Sequence, residues 1–555
     1  MADHVPLPGS ERPAATGARR LRDADASERV DVTVTLAGSA LPEPGAGQPL
    51  TRAQLERDHG ADPAAVARVT EELRGLGLRV EQSSPLTRSL RVSGTIAQLE
   101  AAFKPALGVY GHPEQGEFRG REGQLQVPAA LDGLITGVFG LDQRRVARRR
   151  RAAASPGHGP DAGSLFPRQG EKGFLDAVQS ANPPLAPAEL AAHYSFPPGD
   201  GSEQRVAIAE FGGGFFASDL QAFCAKQGTP VPKVTTVGVN GTPVLTLAQI
   251  RQLPQQQQQQ QLDDSVEVNM DVQIVAGLAP GAEQVVYFSS FDEQGWVDLI
   301  DQVVAGRPAA VATLSVSWGL AEDDPNWSQA ALQAIDQRLQ AAAALGITVC
   351  VAAGDDGSAD QETDGRAHID FPASSPHVLA VGGTMLSGSS DVVWWQSPGE
   401  RSGGGGATGG GVSVVFPRPS WQNVQIASIN PGSIDGRVIP DVAALAGPPF
   451  YDVIFIGQDQ PNGGTSAATP LWAALIARMA GAVQTPWRPR YLAPLLYAPA
   501  GSAAQPVGAL GCTDVTSGDN TSSTLGRGYS AGPGFDAVSG WGVPNGVALL
   551  RALGA

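Results

Sequence analysis

Between Ala310 and Asp355 lie three successive pieces, AVATLSVSWG (310–319), WSQAALQAIDQRLQAAAALG (327–346) and ITVCVAAGD (347–355). The outer two are short apolar runs rich in Val, Ile and Thr, the pattern of strands buried on both faces. The middle one carries apolar residues at helical spacing. Strand, helix, strand in that order predicts a parallel sheet clothed by helices. Upstream the alternation repeats: RVAIAEF (205–211), a Gly212-Gly213-Gly214 turn, SDLQAFCAKQG (218–228), QVVYFSS (284–290) and WVDLIDQVVAG (296–306). Residues 186–555 therefore read as one α/β domain, whose ligand chemistry belongs at the carboxyl ends of its strands. Two low-complexity pieces interrupt it, the glutamine run 255–261 and the glycine run 403–406, and both read as surface loops.

Residues 30–141 follow a different pattern. A strand (VDVTVTLAG) precedes two helices (LTRAQLERDHG, PAAVARVTEELRGLG), two strands (LRVEQ, SLRVSG) and a helix (TIAQLEAAFKPAL). This is an α+β domain of ferredoxin-like character. Residues 1–29, polar and rich in Pro, Ala and Gly, read as a mobile tail. Residues 142–185, which include RRVARRRRAAASPGHGPDAG, lack periodicity and read as an exposed linker open to proteolysis.

The chain has 555 residues, 42% hydrophobic and 17% charged, which excludes a disordered or fibrous protein. No apolar run reaches the ~18 to 20 residues that cross a bilayer, so no membrane partner is expected. Of the 38 Lys+Arg and 55 Asp+Glu, residues 1–200 hold 23 and 24, and residues 201–555 hold 15 and 31. A domain so poor in basic side chains repels nucleic-acid phosphates, and suits an acidic medium in which carboxylates are protonated. Cys224, Cys350 and Cys512 are odd in number and far apart, and read as core thiols. The opening MADHVPLPGSERPAATGARRL has no apolar h-region, so no ordinary secretory signal is read there.

Chemistry is suggested first by GGTSAATP (463–470), which follows strand-like YDVIFIG (451–457) and enters the apolar helix LWAALIARMAG (471–481). A serine at such a helix N-terminus, Ser466, is flanked by backbone N–H groups able to stabilise an anion. The local pattern alone equally suits a helix cap. The α/β-hydrolase elbow is excluded, because the glycine two residues after the serine is missing. A nucleophilic serine needs a base. None of His4, His59, His112, His158, His193, His368 and His377 has the Gly-His-Gly-Thr setting of a subtilisin base, so the base must be a carboxylate.

LDDSVEVNMDVQIVAG (262–277) supplies one. It reads as a helix opening with acidic residues, with Glu267 and Asp271 four apart on one face. Two close carboxylates do not both ionise easily, and the resulting proton-sharing pair works as a base in acid; a solvated acidic face is the plainer reading of such a pair alone. A third carboxylate, Asp355, ends the buried strand VCVAAGD at the functional edge of the sheet, where a turn Asp is also common.

Taken together and in this order, Glu-x-x-x-Asp (267–271), Ser-Val-Ser-Trp-Gly (315–319), Ala-Ala-Gly-Asp (352–355) and Gly-Gly-Thr-Ser-Ala-Ala-Thr-Pro (463–470) resemble the sedolisin family of serine-carboxyl peptidases, its kumamolisins above all. The resemblance covers nearly the whole chain, with residues 30–141 similar to the family's activation prosegment, and it implies a subtilisin-like catalytic fold. It also implies Ser466 as nucleophile, Glu267 as base, Asp271 as the group sharing its proton, and Asp355 as a neutral acid in the oxyanion hole. Glu210 and Trp318 would extend that network through hydrogen bonds. In the C-terminal stretch, Asp514, Val515, Gly532, Gly534 and Asp536 match the family's calcium loop, implying one structural Ca²⁺ held by two carboxylates and three backbone carbonyls. Taken alone, the Gly-x-Gly-x-Asp loop reads as an ordinary turn.

The expected protein is thus an acid-active endopeptidase made as a zymogen. Its partners are protein or peptide substrates and its own prosegment as inhibitor, a monomer suffices, and secretion follows from the resemblance alone. Two rivals are a catalytically silent, calcium-stabilised binding protein on the same fold, and a neutral subtilisin-type peptidase. The presence of all four catalytic residues opposes the first, and the histidine inventory opposes the second. The glutamine run ahead of Glu267 and Thr469 before Pro470 depart from the family pattern.

Overall fold

Alternating Val and Thr in Arg29–Leu36 (β1) bury one face of an antiparallel sheet. In a computed structural model describing residues 3–43, 48–149, 152–153, 183–482 and 490–554, that strand is central. Two helices follow it, α1 (Arg52–His59) and α2 (Pro63–Gly75), opened by the caps Thr51 and Asp62. Next come β2 (Arg79–Ser84), β3 (Ser89–Thr95), α3 (Ile96–Phe103) and β4 (Ile135–Phe139). The sheet order is β2-β3-β1-β4, all antiparallel, which is the ferredoxin-like arrangement. Its core gathers Val32, Val34, Val69, Leu73, Val92, Leu99 and Phe103.

The tail expected over residues 1–29 is instead part of this unit. His4–Pro6 pairs with Gln126–Pro128, Arg19–Asp23 pairs with Gly108–His112, and Leu7 is buried. Strand pairing overrides a composition that reads as loop. The first linker residues are packed as well: Val146 is buried, and the Arg144 guanidinium binds Asp142 and donates to the Arg121 carbonyl. Of the remainder, 150–151 and 154–182 lie outside the described residues. This first unit comprises 1–147 together with 289–310 and 323–345. Helices Glu293–Ala305 and Gln329–Ala344 therefore pack with it. Arg12 bridges Asp142 and Glu293, Thr33 donates to the Asp298 carboxylate at 2.7 Å, and Arg338 pairs with Asp301 at 2.7 Å.

The second unit, 148–288, 311–322 and 346–555, holds the predicted parallel sheet. Its strands are β5 (Arg205–Glu210), β6 (Val234–Gly238), β7 (Glu283–Phe288), β8 (Thr313–Val316), β10 (Thr348–Ala352), β11 (Leu379–Ser387), β12 (Ser390–Val393) and β13 (Val442–Leu445). The order is β6-β7-β5-β8-β10-β11-β12, with β13 also parallel to β11; only the β11–β12 pair is antiparallel. Short β9 (Trp318–Ala321) follows β8 after Ser317. Two long helices carry the candidate residues, α4 (Gln255–Leu278) and α5 (Thr465–Ala482).

The glutamine run is not a loop but the first two turns of α4, so this helix begins well before the acidic residues expected to open it. Glutamine is a good helix former, and Pro254 just ahead of it suits a helix start. The glycine run 403–406 is not simply a surface loop either: it leaves the 3-10 turn Arg401–Gly403 and enters the short buried strand Gly406–Ala407. No cysteine is in a disulfide; Cys224 and Cys350 are buried and Cys512 is half-buried. Among the described residues no helix is long and apolar enough to cross a membrane.

Candidate active site

From Asp264 to Leu278 almost every residue of α4 is buried, whichever way it faces. Glu267 and Asp271 thus lie inside the protein at 0% exposure, not on a solvated face. Glu210, the last residue of β5, is also fully buried, and the Trp318 indole N–H donates to its Oε2 at 3.0 Å. Burial first, then the neighbouring charge of Glu267, pushes the Glu210 carboxyl well above its usual value, while the Trp318 hydrogen bond pulls the other way. Asp271 is raised well above its usual range for the same reasons: burial, then Glu267 and Glu210. Three buried carboxyls this close do not all ionise together.

Ser466 is the second residue of α5, entered through Gly464 at φ +91°, a conformation that disfavours any side chain. Its own backbone N–H is one of the first-turn donors that a helix leaves without an intrahelical acceptor. Its hydroxyl lies 3.4 Å from the Ser317 carbonyl oxygen. The Ser317 hydroxyl in turn donates to Asp271 Oδ2 at 2.6 Å and lies 3.2 Å from the Ser466 carbonyl oxygen. One buried side chain thereby joins the serine segment to the carboxylate group.

Asp355 follows β10 and is buried against the start of α5, where Thr465 donates both its N–H (2.9 Å) and its hydroxyl (2.6 Å) to Oδ1. Oδ2 has no hydrogen-bond partner among the described residues. Burial pushes this carboxyl up, and the Arg401 charge and the Thr465 hydrogen bonds offset only part of that. The chain thus brings Asp355, Ser466 and Asp271 together through Thr465 and Ser317, and couples Glu210, Glu267 and Asp271 electrostatically.

Ser317 and Thr465 were not singled out from sequence. Both stand inside quoted motifs, beside Trp318 and Ser466, but a serine or threonine pattern does not say which way a hydroxyl points. Asp264, also passed over, is 2% exposed.

Elsewhere in this unit, Asp514 Oδ2 accepts from the Gly534 N–H at 2.8 Å, and Asp536 Oδ2 from the Gly532 N–H at 3.0 Å. Two carboxylates therefore close on one glycine loop, beside the Val515 carbonyl that faces the Ser539 hydroxyl. Among the described residues no three His, Cys, Asp or Glu side chains cluster as metal ligands. Asp536 Oδ1 also accepts from the Val538 and Ser539 N–H groups and the Ser539 hydroxyl, so an ion here would need these contacts loosened and backbone oxygens beside the two carboxylates, the hard donor type that Ca²⁺ takes.

Two short strands from the linker reach this unit. Arg148 and Arg149 pair antiparallel with Gly319 and Trp318, and Ala152 and Ala153 with Gly463 and Asn462.

Residues 16–144 match the Pro-kumamolisin activation domain, and residues 258–542 match the Subtilase family. Kumamolisin of Bacillus sp. (strain MN-32) is 36% identical over 99% of this chain and 93% of that protein. Sedolisin of Pseudomonas sp. (strain 101) is 29% identical over 89% of this chain and 80% of its own. Among solved structures, Pseudomonas sedolisin complexed with two molecules of pseudo-iodotyrostatin superposes with a TM-score of 0.55 at 28% identity. It spans 67% of this chain and 98% of that one.

Proposed function

The chain belongs to the sedolisin family of serine-carboxyl peptidases, with a pro-kumamolisin activation domain ahead of a subtilase-fold domain, and from that premise we propose that it is an acid-active endopeptidase working through Ser466, Glu267, Asp271 and Asp355. The observation that carries this reading is the join at Ser317, which links the Ser466 segment to Asp271 inside a buried carboxylate group that contains Glu267.

In the first step Ser466 Oγ attacks the peptide carbonyl carbon while its proton passes to ionised Glu267, and Asp271 shares the proton so gained. The oxyanion accepts hydrogen bonds from the Ser466 N–H and from neutral Asp355. Thr465 already occupies Oδ1 with two donors, so the Asp355 proton belongs on Oδ2. The C–N bond breaks as Glu267 returns its proton to the leaving amine, giving an acyl-enzyme. Water then attacks the ester, giving up a proton to Glu267, and Ser466 leaves with that proton.

Activity needs Glu267 ionised and Asp355 protonated. It falls in strong acid when the first gains a proton, and falls toward neutrality when the second loses one. Glu210 and Trp318 hold the far side of the network.

The N-terminal unit is read as prosegment and inhibitor. The linker is read as the first substrate, because its short strands flank the Ser466 segment on two sides, at Trp318–Gly319 and at Asn462–Gly463. The first cut is read as falling within this linker, residues 142–185. The trigger is acid. Burial pushes Asp142 up, but Arg12 and Arg144 beside it hold its carboxyl below the usual value. That contribution to stability is present above the unfolded pKa and is lost as pH falls through the folded one. Asp292 and Asp301, raised chiefly by burial, act in the opposite sense, so the trigger rests on Asp142. When a Ca²⁺ is bound by Asp514 and Asp536 with the carbonyls of Val515, Gly532 and Gly534, it supplies positive charge that ties the C-terminal loop together. Peptides are the substrates, and one chain suffices.

The test is to acidify purified full-length protein to about pH 4, near ordinary carboxyl values, beside Ser466→Ala. Conversion to a shorter chain with acid-dependent hydrolysis, both lost in the variant, is expected. Hydrolysis that survives Ser466→Ala, or an inert protein even after a trace protease has cut the linker, refutes the reading.

A further inference from the structure

The glutamine run lengthens α4 at its N-terminus, and from its last residue, Gln261, to Asn269 the helix is laced to the segment leaving β5. Gln261 Oε1 accepts from the Gly213 N–H at 2.9 Å, Ser265 Oγ from the Gly214 N–H at 2.9 Å, and Asn269 Oδ1 from the Phe216 N–H at 3.0 Å. These three side chains are four residues apart and form one stripe. The approach is so close that a Cβ on Gly213, at φ +72°, would stand 2.5 Å from the Ser265 nitrogen. Glu210 ends β5 three residues before Gly213, the first residue so held.

A second stripe runs beside the first. Asp264, Glu267 and Asp271 are spaced i, i+3, i+7 and share a helix face. All three are buried, Asp264 at 2% exposure.

The other charged groups on elements packed along α4 are engaged elsewhere. Arg478 donates to Leu278 O at the opposite end of the helix, and Arg205 pairs with Glu283. Lys226 pairs with Asp452 and Asp459, and Asp219 accepts from the Ile456 and Gly457 N–H groups. His193 pairs with Asp391, and Glu189 accepts from the Ala186 N–H. The segment Phe211–Phe216 carries no charge. Asp263 adjoins on α4 but is half-exposed. Burial first, then Glu267 and, least of these, Asp264 push the Glu210 carboxyl upward, against the Trp318 hydrogen bond.

We propose that Asp264 is a positioning residue of the reaction, a fourth buried carboxylate one turn before Glu267 whose charge sets how readily the Glu210–Glu267–Asp271 group takes up and releases its proton. The inference rests on the serine-carboxyl reading above. Without Asp264 the Glu210–Glu267–Asp271 group would give up its first proton at lower pH, so this residue holds the working range of the enzyme nearer to neutrality. Asp355, beyond Thr465 on the other side of Ser466, is not part of the stripe, and the alkaline limb that it governs is independent of Asp264.

The experiment measures kcat/KM against pH for the mature enzyme, Asp264→Asn, Asp264→Glu and Asp263→Asn. A like charge one helix turn away raises a carboxyl by about one unit. In Asp264→Asn the acid limb is therefore expected about one pH unit lower with the alkaline limb unmoved, while Asp264→Glu, which keeps the charge, restores the wild-type limb. Asp263→Asn leaves both limbs in place. Should the asparagine variant fail to fold, Asp264→Ser gives the same readout. An acid limb that stays put in the neutral variants, with or without a uniform fall in rate, overturns the proposal and leaves Asp264 a packing residue. A wild-type enzyme that has no acid limb, or whose activity survives Ser466→Ala, refutes the serine-carboxyl reading instead.

Discussion

Removing one hydroxyl, in Ser317→Ala, tests whether the serine and the carboxylates act as a unit. Ser317 is fully buried, and its hydroxyl is 2.6 Å from Asp271 Oδ2. Asp271 Oδ1 has no hydrogen-bond partner among the described residues, so losing Ser317 removes the hydroxyl donor that serves this carboxyl. A hydrogen bond to a charged group is worth about 1.5 to 3 kcal/mol. If that stabilisation is felt in the transition state, kcat/KM falls roughly 10- to 150-fold. The bond also lowers the Asp271 pKa, so its loss raises that carboxyl further and moves the acid limb upward. The assay is kcat/KM on an internally quenched peptide across the acid range, for wild type, Ser317→Ala, Asp271→Asn and the double variant. Coupled partners give strongly non-additive losses, so the double variant should be little worse than Asp271→Asn alone. Two independent losses that simply add, or a Ser317→Ala enzyme indistinguishable from wild type, would refute the reasoning.

Three further outcomes are expected. Glu210, Asp271 and Asp355 are raised chiefly by burial, so the stability they contribute is complete below the unfolded carboxyl values and is lost as pH rises through the folded ones. The Tm of mature Ser466→Ala should be highest in acid and decline toward neutrality, less steeply in Asp355→Asn; a Tm that climbs toward neutrality contradicts this. Chelation should lower the Tm of the mature enzyme, since an ion at a hundred times its Kd adds about 2.7 kcal/mol. Asp536→Asn should abolish the difference, and an unchanged Tm would argue against the ion. Arg12→Gln takes the cation from buried Glu293, while Asp142 keeps Arg144, at about 3 kcal/mol. Differential scanning calorimetry of the zymogen should find its first transition lowered, and conversion should begin at milder pH than in wild type.

The alternation of short apolar strands and helices, the ferredoxin-like pattern of residues 30–141 and the glycine turns ahead of Ser466 were all legible in the sequence. Each is a local property, set by side-chain periodicity or by a backbone angle that only a few residues tolerate. The residue types at 210, 267, 271, 355 and 466 were legible for the same reason. Burial was not. Periodicity cannot reveal that Glu267 and Asp271 face protein on every side, because a charged i,i+4 pair looks alike on a wet surface and in a pocket. Nor does composition forecast that the glutamine run continues α4, or that residues 3–29 are held by strand pairing, since both depend on what lies alongside. Sequence alone determined which groups could do chemistry and in what order they occur. Only the tertiary structure decided that Ser317 joins Ser466 to Asp271, that Thr465 holds Asp355, and that Asp264 shares the buried face with Glu267. Those pairings join positions far apart in the chain, or depend on which helix face is turned inward, and both are settled by packing across the sheet.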